Sequence, residues 1–236
     1  MMIIIKDCSK SSIKAFSLLE LSIVLIVIAF ITSTILKASE YIETNKRINS
    51  IVEKLAYFST AAYNFKDKFG TWPGDYNSFS VAGNSNGIID VPGLNTGTER
   101  ISAFLQMSEA GFIEGSFSAV WDSNTNFAPK ADIPNSYYFF GSHLLTNVIG
   151  MDNTIQVLTL AGFNVAGVVS LDSEIPVLSA REALLIDEKI DDGKPNLGAI
   201  RANPGITSFS CYNSGVDTYQ VGELGANCAL YLLLTN

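Results

Sequence analysis

Histidine is nearly missing from this sequence: His143 is the single example in 236 residues. Histidine-rich metal sites are therefore out of reach, and any Ser-His-Asp triad would have to use His143. A lone histidine after a strand-like segment is more often a surface or core residue than a catalyst. Cysteine is scarce too, with Cys8, Cys211 and Cys228 only. None of them forms a Cys-x-x-Cys pair, which excludes dithiol redox chemistry of that kind. No glycine-rich loop precedes a helix in the manner that cradles phosphates. Positive charge is short, 15 Lys and Arg against 23 Asp and Glu, for a formal net charge of −8. Direct nucleic-acid binding needs clustered cations and is not expected. The sequence reads as that of a non-enzyme, with no cofactor required.

What the chain has in excess is apolar sequence, with a mean hydropathy of +0.26. Residues 16–36, FSLLELSIVLIVIAFITSTIL, hold one ionisable group, Glu20. A helix of that length spans about 31 Å, enough to cross a bilayer core. Lys6, Lys10 and Lys14 precede it against Asp7, so residues 1–15 are basic while the remainder is acidic. The positive-inside rule leaves the N-terminus in the cytoplasm and the bulk of the chain outside. The run is longer than a secretory h-region, and its exit, ILKASEYIE, offers no clean small-x-small site. Ordinary signal cleavage is not expected.

Glu20 is the residue that needs a reason. A carboxylate in hydrocarbon is costly and usually has a partner or a role. A cut before Phe16 would create an α-amino group four residues upstream, a cation able to pair with Glu20 on the same chain or on a neighbour. Pairing between neighbours runs head to tail without closing, which builds a helical filament. The alternative is a protonated Glu20 near the headgroups of a plain membrane anchor. Position by itself does not separate the two.

The surrounding residues do. Lys14-Ala15-Phe16-Ser17-Leu18-Leu19-Glu20-Leu21 resembles the processing site of type IV prepilins and pseudopilins: a short basic leader, a small residue, Phe at the start of the mature chain and Glu as its fifth residue. Ala15 departs from the usual Gly but remains small. The resemblance implies cleavage between Ala15 and Phe16 by a prepilin peptidase, N-methylation of Phe16, and assembly through Phe16 and Glu20. It implies as partners copies of the chain, other pilin-like subunits, the membrane and an inner-membrane assembly platform. It places the protein in the bacterial inner membrane, with the N-terminus cytoplasmic and the globular part extracytoplasmic, and then in a filament. The rival is a membrane-anchored binding or stalk protein that never polymerises. Pilus and type II secretion pseudopilus are not separated, although a mature length of 221 residues favours a minor subunit.

Removing residues 1–15 also removes Cys8 and leaves Cys211 and Cys228, an even pair that reads as a disulfide in an exported domain. The helix is expected to continue past the membrane, because no Gly or Pro occurs from Leu36 to Phe69, before Gly70 and Pro73. Apolar residues recur at Tyr41, Ile48, Leu55, Ala62 and Phe69, with a second row at Ile51, Phe58 and Phe65. These rows form one continuous apolar face. Arg47, Lys54 and Lys68 flank it without acidic residues at the complementary edge, so a sheet from the same chain suits the face better than a self-paired coiled coil.

Trp72-Pro73-Gly74-Asp75-Tyr76 is a turn by composition, and residues 83–98 read as a surface loop. A short helix is expected over residues 99–110, capped by Thr98 and Gly111. Ser136–Gly141, Thr154–Leu160, Val165–Leu171 and Ala229–Leu234 read as strands, the last as a buried one. Ser179-Ala180-Arg181-Glu182 is a capping box that opens a helix to about Ile190. Beyond it Asp187, Asp191 and Asp192 could supply oxygens to Ca²⁺, though Lys189 and Ile190 break the alternation of an EF-hand. The solvated-turn reading of that segment stands beside it.

The expected fold is α+β, pilin-like: a long N-terminal helix packed on a small antiparallel sheet. Its parts are a leader (1–15), a transmembrane or filament-core helix (16–36), an amphipathic continuation (37–70) and a globular domain (71–236).

Overall fold

The computed structural model describes residues 17–90, 99–120, 126–142, 155–162, 175–203, 211–223 and 225–234. Its first element, α1, is a helix over Leu18–Phe69. At 1.5 Å per residue it measures about 78 Å. Its first part is rich in Ile, Val and Thr, weak helix formers in water. In hydrocarbon the helix is one of only two ways to satisfy every backbone group. The helix stops where expected: the N–H of Gly70 donates to the carbonyl of Lys66 at 2.7 Å. Gly70 itself sits at φ +81°, a left-handed conformation that glycine adopts without steric cost. By internal contacts the chain forms two compact units that divide after Asn45.

The second unit holds the core. There α1 contributes Ile48, Ile51, Leu55, Phe58, Ala62 and Phe65, all buried. Those six are the face read from sequence, less its two ends. Phe69 is only partly covered. Tyr41 belongs to the first unit and is 62% exposed. The buried residues meet α2 (Glu99–Glu109) and a four-stranded antiparallel sheet. Phe58 lies 5.2 Å from the rings of both Phe104 and Tyr138, centroid to centroid.

The sheet comprises β1 (Ser136–Ser142), β2 (Gln156–Gly162), β3 (Ile200–Asn203) and β6 (Ala229–Leu234), in the order β1-β2-β6-β3. The register pairs Tyr138 with Leu160 and Phe140 with Leu158, then Leu158 with Leu232 and Ile200 with Leu232. Even-numbered residues of these strands therefore share the face that joins the α1 core. The other face is not solvated: Phe139, Val157, Thr159, Ala161 and Tyr231 are all buried as well. A sheet covered on both sides explains why ALYLLL shows no alternation.

A small hairpin of β4 (Tyr212–Asn213) and β5 (Thr218–Tyr219) stands apart from this sheet. Cys211 and Cys228 are joined in a disulfide with Cα atoms 5.1 Å apart, which ties the base of the hairpin to the start of β6. Helix α3 spans Ala180–Ile190 and begins with both halves of the capping box in place. Helix α2 ends one residue earlier than expected, and the N–H of Phe112 wraps back to the carbonyl of Met107 at 2.9 Å across Gly111. The strand expected over Val165–Leu171, the cap Thr98 and His143 lie outside the described residues. Strand β3 and the hairpin were not expected, because runs of two to four residues carry too little periodicity to be read.

Candidate functional site

The first site residues to locate are those of the apolar helix. Ala15 and Phe16 lie outside the described residues. Glu20 occupies the first turn of α1. Negative charge there complements the positive end of the helix dipole. Ser17 acts as a cap, accepting from the N–H of Leu19 at 3.3 Å. Ser17 and Glu20 have capping-box spacing, so the helix start was legible at Ser17. Glu20 has no hydrogen-bond or ion-pair partner among the described residues.

The other polar residues of this stretch are satisfied internally. Ser22 donates to the carbonyl of Leu19 (2.7 Å), Thr32 to those of Ile28 and Ala29 (3.0 Å each), Ser33 to that of Phe30 (2.8 Å) and Thr34 to that of Ile31 (2.8 Å). A hydroxyl folded back onto its own helix exposes little polarity to hydrocarbon. The apolar side chains point outward: Leu19 is 71% exposed, Ile26 69% and Phe30 70%. Among the described residues, nothing buries the most apolar part of this helix. This helix is long and apolar enough to cross a membrane.

The second unit tests the acidic cluster. Asp187, Asp191 and Asp192 each bring one carboxylate oxygen within 4.8 Å of the others. All three carboxylates are already engaged. Asp187 is fully buried and accepts from the hydroxyl of Tyr219 (2.7 Å) and the N–H of Gly193 (3.1 Å). Asp191 accepts from the N–H groups of Ala199 and Ile200, the latter at 3.1 Å. Asp192 accepts from the N–H of Lys194 at 2.9 Å. Gly198, at φ +73°, leaves the space that the Asp191 carboxylate fills, since a Cβ there would meet Asp191 Oδ2 at 1.7 Å. The segment is thus a hydrogen-bonded joint between α3 and β3.

Burial pushes the Asp187 carboxyl up to about 6, against the bonds from Tyr219 and Gly193, with the charges of Asp192 and Asp191 adding to the rise. At the other end of α3, Glu182 behaves oppositely. Burial alone would raise it, but bonds from Ser179 and the Arg47 guanidinium hold it below the usual carboxylate range. Arg47 and Lys54, which lacked acidic partners along α1, find them in the domain: Glu182 and Asp132.

As expected, Asp75 lies in a turn, and residues 83–90 form a loop that is exposed over 84–87; buried polar side chains hold that loop from beneath. Asp75 is fully buried, accepting from the N–H groups of Asn86 (2.9 Å) and Gly87 (2.8 Å). Glu99 accepts from the N–H groups of Asn84 and Asp90, each at 2.8 Å. Its carboxyl is raised by burial in spite of those bonds, with Asp75 and Asp90 adding their charge. Gln106 accepts from the N–H of Gly74 (2.7 Å) and donates to the carbonyls of Tyr76 and Val81 (2.8 Å each). The one sequence signal was the polar content of α2, whose Glu99 and Gln106 interrupt an otherwise core-facing helix.

No family model matches the chain, and no curated protein matches it. Among solved structures it is similar to the major type IV pilin PilA1 from Clostridium difficile, at 13% identity and a TM-score of 0.37, over 82% of this chain and 97% of that one. A likeness at that distance says nothing of shared chemistry.

Proposed function

We propose that this chain is the structural subunit of a type IV pilus or type II secretion pseudopilus, and not an enzyme. In this reading a prepilin peptidase cuts between Ala15 and Phe16, and Phe16 is then methylated. The helix of residues 16–36 holds the subunit in the inner membrane with its N-terminus in the cytoplasm. An assembly platform then lifts it into a filament with copies of itself and related subunits. Residues 37–70 continue the helix into the globular domain, 71–236, which faces outward. Pairing of Glu20 with the Phe16 amine of a neighbour sets the register.

The observation that carries this reading is the apolar stretch of α1, left exposed among the described residues yet holding a carboxylate. A bare apolar surface of that size must be covered by lipid or by other subunits. A carboxylate on it is costly unless a cation meets it. The disulfide supports an oxidising, extracytoplasmic location for the domain.

Two measurements test the proposal. Mass spectrometry of the mature N-terminus should find methylated Phe16, and a different first residue removes the processing claim. Glu20→Ala should leave the subunit in the membrane and abolish its entry into filaments. Normal filaments from that variant would favour the non-polymerising anchor.

A further inference from the structure

Two loops of the second unit share a construction unrelated to assembly. Asn86-Gly87 and Asp192-Gly193 are both Asx-Gly pairs, and in both the glycine lies at positive φ, +88° and +73°. In both, the Asx side chain folds over its own backbone. Asn86 Oδ1 accepts from the N–H of Ile88 at 2.8 Å, and Asp192 Oδ1 from that of Lys194 at 2.9 Å. In both, the glycine N–H donates to a carboxylate with no exposed surface: Gly87 to Asp75 Oδ2 at 2.8 Å, Gly193 to Asp187 Oδ1 at 3.1 Å. Asn86 and Asp192 are themselves exposed, so burial does not shield them from water.

Asx-Gly is the pair most prone to close on itself. At Asn86, the Gly87 nitrogen loses its proton and attacks Asn86 Cγ. A Gly87 N–Cγ bond forms, the Cγ–Nδ2 bond breaks and ammonia leaves. Water then opens the five-membered imide to aspartate or isoaspartate. At Asp192, the Gly193 nitrogen makes the same attack on the carboxyl in its protonated form: a Gly193 N–Cγ bond forms, the Cγ–O bond breaks, hydroxide leaves and takes up the amide proton as water, and a second water reopens the ring with no net change in mass. Glycine offers no side chain to hinder either attack. Both reactions need the amide nitrogen free of its proton.

We propose that Asn86 and Asp192 are latent sites of this intramolecular modification, held unreacted in the folded chain by the buried carboxylates of Asp75 and Asp187. An amide that donates to a carboxylate would become an anion beside an existing negative charge, which disfavours its ionisation. The carboxylate is far too weak a base to take the amide proton itself. Each unit by which it raises the amide pKa cuts the attacking fraction about tenfold. At Asp75 the need for a carboxylate is explicit, because its two oxygens serve two N–H groups, Asn86 and Gly87. An amide side chain offers only one acceptor. The inference is independent of how the subunit assembles.

The test follows both sites by peptide-mapping mass spectrometry in the full chain at neutral pH, with enzymatic isoaspartate detection at Asp192. Folded protein should react at least about tenfold more slowly at both sites than the same chain denatured and reduced. Asp75→Asn should speed conversion at Asn86 and leave Asp192 unchanged, and Asp187→Asn should do the converse. This crossed pattern distinguishes local guarding from general loosening. Equal acceleration of both sites by either variant, or acceleration by neither, overturns the proposal. Should Asp75→Asn fail to fold, the Asp187→Asn arm decides with Asn86 as its internal control. Equal rates in folded and denatured wild-type chain overturn the proposal without any variant.

Discussion

Two stretches of a single helix, both rich in apolar residues, end in opposite environments. From Leu18 to Leu36 the side chains of α1 are all exposed among the described residues, whereas Ile48, Ala62 and Phe65 have no exposed surface at all. The outer stretch has an apolar face with a polar back, and a sheet of the same chain answers that face. The inner stretch is apolar all round, and no single face of one domain could cover it. Hydrophobicity states that a surface must leave water. The width of the apolar stripe decides whether a fold of the same chain can do the covering.

The contrast is broken most severely by truncating one large apolar side chain in each stretch. Phe65→Ala, which empties a site among Phe69, Tyr76, Phe79 and Phe112, should cost about 3–5 kcal/mol in denaturant unfolding. Leu25→Ala, at a residue 59% exposed, should change the same measurement by less than about 0.5 kcal/mol. Similar losses from both would mean that the inner stretch is also part of the folded core.

Next in size is the disulfide, a covalent tie that the inner stretch has no counterpart to. Replacing both Cys211 and Cys228 by Ser should remove about 3 kcal/mol on the chain-entropy account. Adding reductant to the wild type should reproduce the loss and have no effect on the variant.

The two ends of α3 then give a comparison of sign. Asp187 titrates near 6 in the folded chain against an ordinary value of 3.8. Its contribution is therefore fully present below about pH 4 and is lost as pH rises through 6, at most about 3 kcal/mol by linkage. Asp187→Asn should flatten that fall, read as the urea midpoint at pH 5 and pH 7 compared with wild type. Glu182, held below its ordinary value, contributes the other way: stability present above about pH 4.5 and lost as pH falls through the lowered value. Glu182→Gln should keep the cap and lose the ion pair to Arg47, costing about 1 kcal/mol at neutral pH. A variant as stable as the wild type, with the same dependence on acid and salt, would show that the Arg47 contact contributes nothing.

Much of the architecture was legible residue by residue. The 52-residue helix followed from an absence of Gly and Pro and from Gly70 after it. Strand β6 followed from an apolar run too short for a helix and too continuous for a solvated strand. The capping box placed α3 within a residue. The polar interior was not legible. Asp75 lies in the expected turn, but its burial was not foreseen, because its partners, Asn86 and Gly87, are eleven and twelve residues on. The burial of Asp187 was not legible either, because its hydroxyl partner, Tyr219, comes from a two-residue strand beyond β3.

The sequence by itself determined the helix, its apolar inner stretch, the isolated charge at Glu20 and the α+β class. Each of these is a local matter, fixed by backbone propensity, periodicity or the cost of a charge in hydrocarbon. Tertiary structure alone decided which carboxylates are buried and what each one holds. A hydrogen bond depends on the position of two groups in space, and the chain brings Tyr219 to Asp187, Asp75 to Gly87 and Arg47 to Glu182 only by folding.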